Sequence, residues 1–367
     1  MKLNQLTFFR FLAGVIVVIF HFGRKTWIGI NIPALTTGPF MVVFFFVLSG
    51  FIMTIAYGQQ EIVDKGKYWV ARFARIAPVY YLAIAIILID NHLSGTSTDP
   101  YALNYSVFFL QAWFPKTPIS INGPSWSLSV EMFFYLIFPF LIIFLKKISV
   151  FKASLITLVF WGITFYVRNT LNYSPTFDYV DPDVMHAIVF NHPLIHLASF
   201  MLGVVGGLIY VKYLLMRKIS NLVSSSLVIF SFILIAITLT YRTKLFLFPN
   251  VISVYAVCSL LFLAFILALS IDHSWISSLL SNKFLLFLGE LGYSIYILQV
   301  PFHLMYLRYI APWIKPTKSQ DFYIFLILLI ILSMLTYTFL ERPLRSGIRK
   351  AADKIFANLQ KPRSELT

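Results

Sequence analysis

The sequence predicts an all-α integral membrane protein, a polytopic bundle of about ten transmembrane helices, and three observations lead there. Residues of the set AVILMFWYC make up 59% of the 367-residue chain, and only 12% are charged. Mean hydropathy is +0.83. A soluble chain is about 45–50% apolar and about 25% charged, so this one carries more apolar surface than one core can hide. The apolar residues also fall in separate runs near the ~20 residues that span a bilayer.

These runs lie near 6–23, 36–57, 76–92, 128–146, 150–168, 188–211, 222–240, 250–271, 285–310 and 321–340, each bounded by polar, Pro or Gly residues. The first follows Lys2 as a secretory signal would. No small-x-small cleavage site follows Phe20, however, and His21-Phe22-Gly23-Arg24-Lys25 interrupts it, so it is expected to be a retained span. The third begins beside Pro78 and the fourth after Gly123-Pro124. The eighth contains the lone cysteine, Cys258, which excludes an internal disulfide and any multi-cysteine zinc or redox site. Beyond the tenth, Ile348, Ala351, Ala352, Ile355, Phe356 and Leu359 recur at helical spacing, with Arg349, Lys350 and Lys354 on other faces. This predicts an interfacial helix on an anionic leaflet. Two units are therefore expected: a transmembrane domain, 1–345, and a basic amphipathic cytoplasmic tail, 346–367.

Lys plus Arg total 29 and Asp plus Glu 14, a formal charge of +15. In a membrane chain such an excess belongs first to cytoplasmic loops, and no nucleic-acid-binding motif is present. Ten spans put both termini on one side. With that side taken as the cytoplasm, nineteen Lys and Arg lie inside and nine outside, with Arg10 within the first span. Cytoplasmic loops carry the cationic excess, so both termini are expected in the cytoplasm. The two long outer loops, 93–127 and 169–187, are expected to shape a site there; the second carries Asp178, Asp181 and Asp183.

Ionisable groups inside spans are costly, and each is a functional candidate. Arg10 and His21 are eleven residues apart, which on an α-helix is about 20° past three full turns with ~16 Å of rise. One helix face thus presents a cation near the inner surface and an imidazole near the outer one. The alternative is a snorkelling arginine and an interfacial histidine. Glu131 lies one turn into the fourth span, after Trp126-Ser127-Leu128-Ser129-Val130 and before Phe133, Phe134 and Tyr135. A carboxylate there needs a wet cavity or a partner; helix-start chemistry accounts for the serines but poorly for the Glu. Arg72 and Arg75, at i,i+3, share a helix face suited to phosphate, or else flank the third span as ordinary inside charges. His192 and His196 are i,i+4, a weak zinc signal without a third ligand, and no metal is expected.

Six motifs in order, Arg10-x10-His21, Phe44-Phe-Phe-Val-Leu-Ser49-Gly-Phe51, Arg72-x-x-Arg75, Trp126-Ser127-Leu-Ser-Val-Glu131, Gly292-Tyr293-Ser-Ile-Tyr-Ile-Leu298 before Pro301, and Glu341-Arg-Pro343, make the chain resemble the acyltransferase family 3 membrane proteins. The resemblance runs from about residue 4 to 345 and is to bacterial O-acetyltransferases of cell-surface and exported glycans. It implies a bacterial inner-membrane enzyme with acetyl-coenzyme A as acyl donor, a glycan or glycolipid hydroxyl as acceptor, and essential roles for Arg10, His21, Arg72, Arg75 and Glu131. Ser49, Trp126, Ser127 and Tyr293, from its other motifs, are candidates for shaping the site. The chain departs from the family at Leu6-Thr7-Phe8, often Leu-Asp-Gly, at Met41-Val42-Val43, often Gly-Val-Asp, and at Gln299, often a histidine. An SGNH esterase-like domain, fused to some members, is not expected before Thr367.

The mechanism expected on this reading has Arg72 and Arg75 hold donor phosphates on the inner side. The donor's arm passes Arg10, His21 takes the acceptor's proton, and Glu131 orients the imidazole. Transient acylation of His21 is a variant. The rival reading is a membrane transporter of a glycan intermediate, since buried charges also suit a permeation path, although no echo of Arg-x10-His occurs in the second half. A structural membrane subunit would need none of these groups. The oligomeric state is not legible.

Overall fold

The structure, a computed structural model, describes residues 3–60, 63–173, 181–242, 244, 251–317 and 320–359. Asp178, Lys318, Lys361, Arg363 and Thr367, which entered the loop and charge readings, lie outside them. Among the described residues there is no strand, and the α-helices run α1 (Phe8–Val18), α2 (Trp27–Asn31), α3 (Gly38–Tyr57), α4 (Lys65–Ser94), α5 (Pro100–Val107), α6 (Trp126–Lys146), α7 (Val150–Tyr173) and α8 (Pro182–Asn191). They continue with α9 (Pro193–Ile209), α10 (Asn221–Thr240), α11 (Val251–Ser270), α12 (Trp275–Leu280), α13 (Lys283–Met305), α14 (Ala311–Ile314), α15 (Asp321–Thr336) and α16 (Arg342–Leu359). Nine stretches among the described residues are long and apolar enough to cross a membrane, and the shorter apolar helix Val254–Ser270 occupies the place of the eighth expected run. The chain is a polytopic helical bundle.

Glycines decide which helices meet. On α13, a side chain at Gly289 would press into the carbonyl of Thr7, and one at Gly292 would come 2.6 Å from the carbonyl oxygen of Arg10. Gly14 faces back across the seam, where an added Cβ would come 3.1 Å from the Gly292 carbonyl oxygen. A second seam joins α3 to α9, where side chains at Gly50 and Gly203 would run into the carbonyls of Phe200 and Val47. Such small-residue seams suit the membrane interior, where close backbone packing replaces the hydrophobic drive to associate.

Several boundaries differ from the sequence reading: of the outer loop expected over 169–187, α7 takes the residues up to Tyr173 and α8 those from Pro182, and two further differences bear on the site. The third span starts at Lys65 and passes through Pro78, so Arg72 and Arg75 sit inside a continuous helix rather than before one. Membrane helices tolerate an interior proline because neighbours re-satisfy the freed backbone groups. The sixth span divides at His192-Pro193 into α8 and α9, with the His192 ring accepting the Leu194 amide as a cap. Among the described residues, π-helical turns close four helices, at Ile19–Gly23, Tyr210–Leu214, Tyr306–Ile310 and Tyr337–Glu341. Turns of this kind are rare and frequent at functional sites. The first carries His21 and the last ends on Glu341.

Candidate active site

The charged residues of α1, α4, α6 and α16 converge on a cavity of about 320 Å³. Its wall includes Arg10, Arg72, Arg75, Glu131, Arg345 and Arg349, with Ser49 of α3, Ser127 and Tyr135 of α6, and Tyr293 and Tyr296 of α13. The size falls within the range of small-molecule sites, about 300–1,000 Å³. It reaches the surface at Arg349, which is exposed. A second recess of about 240 Å³ adjoins it, sharing Ala71 and Arg349, and is lined by Tyr57, Asp64, Lys67 and Tyr68. The amphipathic helix α16 thus packs against α4, with Phe356 against Gly66, and lends two arginines to the cavity.

The two arginines of Arg72-x-x-Arg75 have different neighbours. Arg75 is held by Glu290 at 3.4 Å and by the fully buried Glu341 at 3.5 Å; Arg345 lies 3.9 Å from each carboxylate. Ser294 donates to Glu341 at 2.9 Å. Three of the sequence motifs therefore meet in one ion-pair network. Among the described residues Arg72 has no carboxylate partner and its Nε no hydrogen-bond partner; its guanidinium lies 5.7 and 5.8 Å from the rings of Tyr57 and Tyr135. Arg10 lies under the charges of Arg75, Glu290 and Glu131. With Glu290 and Glu341 balancing Arg75 and Arg345, Arg10, Arg72 and Arg349 face the single carboxylate Glu131. The cavity is built for a polyanion.

Glu131 accepts from the Tyr135 hydroxyl and, at 3.4 Å, from Ser49. It does not hold the imidazole, a correction to the expected geometry: the bonding partner of His21 is Gln299, whose Oε1 is 2.8 Å from Nδ1. The physical reason is the path of the helices. His21 packs along α13, while Glu131 faces the cavity across α3. Arg10 lines the cavity and His21 does not; the imidazole stands exposed on the π-helical turn Ile19–Gly23, where the 100° step of an α-helix on which the spacing argument rests no longer holds. Tyr296 and Gln299 are three residues apart on α13, so the cavity closes about 4.5 Å of helix rise before the imidazole's partner. There Ser127 and the Tyr296 hydroxyl meet at 2.8 Å, one donating to the other, and both lie within hydrogen-bonding distance of the Pro124 carbonyl, at 3.0 and 2.9 Å. Trp126 does not line the cavity; it packs on His196, which is buried and bonded to the Phe190 carbonyl at 2.9 Å.

The expected long loop 93–127 is anchored, with Asn122 donating to Ile297 at 3.0 Å and Gln111 to Ser125 at 2.9 Å. Asp181 caps α8. Among the described residues no group of three or more His, Cys, Asp or Glu is placed to hold a metal. Sequence reasoning missed Gln299, Glu290, Tyr135, Tyr296, Arg345 and Arg349. Two of them carried a signal: Glu290 as a carboxylate inside an apolar run, and Gln299 as a position where the family often has a histidine.

A family model described as an acyltransferase domain matches residues 3–339, nearly the whole chain. The chain belongs to acyltransferase family 3. Within that breadth it is similar to SACOL0978 of Staphylococcus aureus (strain COL), a candidate O-acetyltransferase, at 23% identity over 371 positions, covering 93% of this chain and 57% of the relative. It is 25% identical over 368 positions to the peptidoglycan O-acetyltransferase OatA of Listeria monocytogenes serovar 1/2a, covering 92% and 55%. It is 31% identical over 163 positions to the acyltransferase MdmB of Streptomyces mycarofaciens, covering 41% of each. The chain thus spans a little over half the length of the first and second of these family 3 relatives. No solved structure matches it. A multi-pass membrane acyltransferase accords with family and fold, and the transporter reading finds no support in either.

Proposed function

We propose that the chain is an O-acyltransferase of the bacterial inner membrane that moves an acyl group, acetyl in the first instance, from acyl-coenzyme A to a hydroxyl of a cell-surface or exported glycan. The observation that carries this reading is the arginine-lined cavity, open at its α16 end and closing one helical turn from an exposed imidazole. With both termini in the cytoplasm, as the charge asymmetry favours, the cavity opens where coenzyme A is made and His21 faces the other side.

A nucleotide thioester is long and carries several phosphates at one end. Arg72, with Arg75 behind it and Arg349 at the mouth, suits those phosphates, and the adjoining recess beside Tyr57 and Tyr68 gives the base a place. The donor's arm contains amides, for which Arg10 offers donors and Glu131 an acceptor. Ser49, Ser127 and Tyr293 shape the passage, and Trp126 supports the start of α6. At its end the acceptor hydroxyl gives its proton to Nε2 of His21 while its oxygen bonds to the thioester carbonyl carbon. The tetrahedral intermediate then collapses with cleavage of the C–S bond. The departing thiolate takes the proton from the imidazolium, leaving an ester and a free thiol. The thioester must pass the Ser127–Tyr296 contact to meet the acceptor.

The test uses the full chain in nanodiscs with labelled acetyl-coenzyme A and a glycan bearing free hydroxyls. Peptidoglycan fragments come first, because OatA is named for that acceptor. His21→Ala is expected to lower transfer by at least about 100-fold with the fold intact, since general-base catalysis contributes roughly 10²–10⁴-fold. Activity above about a tenth of the unmodified chain's would remove His21 as the base.

A further inference from the structure

We propose that Gln299 is the positioning residue that fixes His21 in the tautomer carrying hydrogen on Nδ1, leaving the Nε2 lone pair free toward the exposed side. This rests on the acyltransferase reading for its consequence, but not for its geometry. Gln299 is fully buried. Its amide nitrogen donates to the Tyr296 carbonyl at 2.7 Å. The opposite orientation would set an amide oxygen against a carbonyl oxygen, so the backbone of α13 dictates which end of the amide faces His21. The oxygen that remains, Oε1, lies 2.8 Å from Nδ1 and can only accept. A neutral imidazole beside it must therefore carry its hydrogen on Nδ1, and its base is Nε2.

A wrongly chosen tautomer can cost a catalytic imidazole about 10⁴-fold, which sets the scale of what such a contact protects. A glutamine differs from a carboxylate in one respect that matters. It fixes the tautomer while stabilising the imidazolium less than a carboxylate's full charge would, so the base can return its proton to the leaving group. The other groups near the imidazole do not contest this. Arg24, on its own helix, stacks its guanidinium 3.7 Å over the Phe20 ring, and His303 of α13 stacks on Phe22. Asp321 of α15 accepts from Tyr306, and Glu131 of α6 is engaged with Tyr135.

The test has two arms. Nitrogen-15 histidine spectra of the full chain in lipid, with the His21 signal assigned by subtraction of His21→Ala, are expected to show a protonated Nδ1 and a bare Nε2 near pH 8. A bare Nδ1 overturns the proposal, whatever the enzyme assay gives. In the second arm, Gln299→Leu removes the acceptor and is expected to lower kcat at least tenfold with little change in the donor's KM. Gln299→Glu sets a carboxylate beside Nδ1 and is expected to move the acid limb of the pH–rate profile upward by about one unit or more. A purely structural Gln299 would lower the amount of folded protein and leave that profile in place, which also overturns the proposal. If the unmodified chain transfers no acyl group at all, the functional reading fails while the spectra still judge the tautomer.

Discussion

Arg72 and Arg75 lie one turn apart on α4, and their surroundings separate two roles that the spacing alone merges. Removing Arg75 would leave Glu341, which has no exposed side-chain surface, with the Ser294 hydroxyl and, as its one remaining cation among the described residues, Arg345 at 3.9 Å. Breaking a buried pair by deleting one partner typically costs about 3–5 kcal/mol. Arg75→Gln is therefore expected to lower thermal stability markedly. Arg72 has aromatic faces and, among the described residues, no carboxylate, and cation–π contacts at such a half-buried site contribute about 0.5–2 kcal/mol, less than the loss of a buried ion pair. Arg72→Gln is expected to lower stability less than Arg75→Gln does and to weaken acetyl-coenzyme A binding by roughly tenfold or more, as loss of a charge-assisted hydrogen bond of about 1.5–3 kcal/mol would. Equal donor affinity in Arg72→Gln and the unmodified chain would remove it from the donor site. At this scale the sequence disclosed the cations and Glu131, because a charge inside an apolar run is conspicuous wherever it falls. The partners were not legible. A neutral glutamine bonding across 278 positions has no local spacing, and Arg349 looked like a surface charge on a tail until α16 folded back onto α4.

The element that sets the geometry of the candidate site is the seam between α1 and α13, because it carries Arg10 and His21 on one side and Tyr293, Tyr296 and Gln299 on the other. A Cβ at Gly292 would lie 2.6 Å from the Arg10 carbonyl oxygen, so any side chain there must push the two backbones apart. Gly292→Val is expected to destabilise the bundle by about 1–3 kcal/mol or more and to lower activity further than stability accounts for. Gly347→Val on α16, where nothing lies within 4 Å of an added Cβ, is the matched control and is expected to be nearly neutral, since Val and Gly differ little in helix propensity. Unfolding curves of both variants in detergent check this; identical midpoints would show that the seam tolerates separation. Helix existence was legible from run length. Boundaries were less so, since Pro78 reads as an edge yet lies inside α4, and the His192-Pro193 break interrupts what reads as one span.

For the whole molecule, the bundle was legible because hydropathy responds to the bilayer rather than to any detail of packing. The orientation rests on charge asymmetry and is open to direct test. In a Cys258→Ser background, Ser120→Cys lies on an exposed loop at the His21 end and Ser149→Cys on an exposed loop between α6 and α7. A membrane-impermeant maleimide added to intact cells is expected to label position 120 and spare 149, and the reverse pattern would invert the donor-inside scheme. The closed end of the cavity, where Ser127 and Tyr296 share the Pro124 carbonyl, then has an electrical meaning. On that orientation, water filling the cavity would bring the potential of one compartment close to the imidazole, and the voltage across the bilayer would fall over a thin septum rather than over its ~30 Å hydrocarbon thickness. A charge crossing the full potential gains about 2.3 kcal/mol per 100 mV, and here that gradient is concentrated beside a group that exchanges protons. The same septum is then the barrier expected to keep the bundle from conducting. Opening it with Tyr296→Ala and Ser127→Ala together is expected to let protons leak through proteoliposomes held at a pH gradient, and a tight double variant would place the barrier elsewhere.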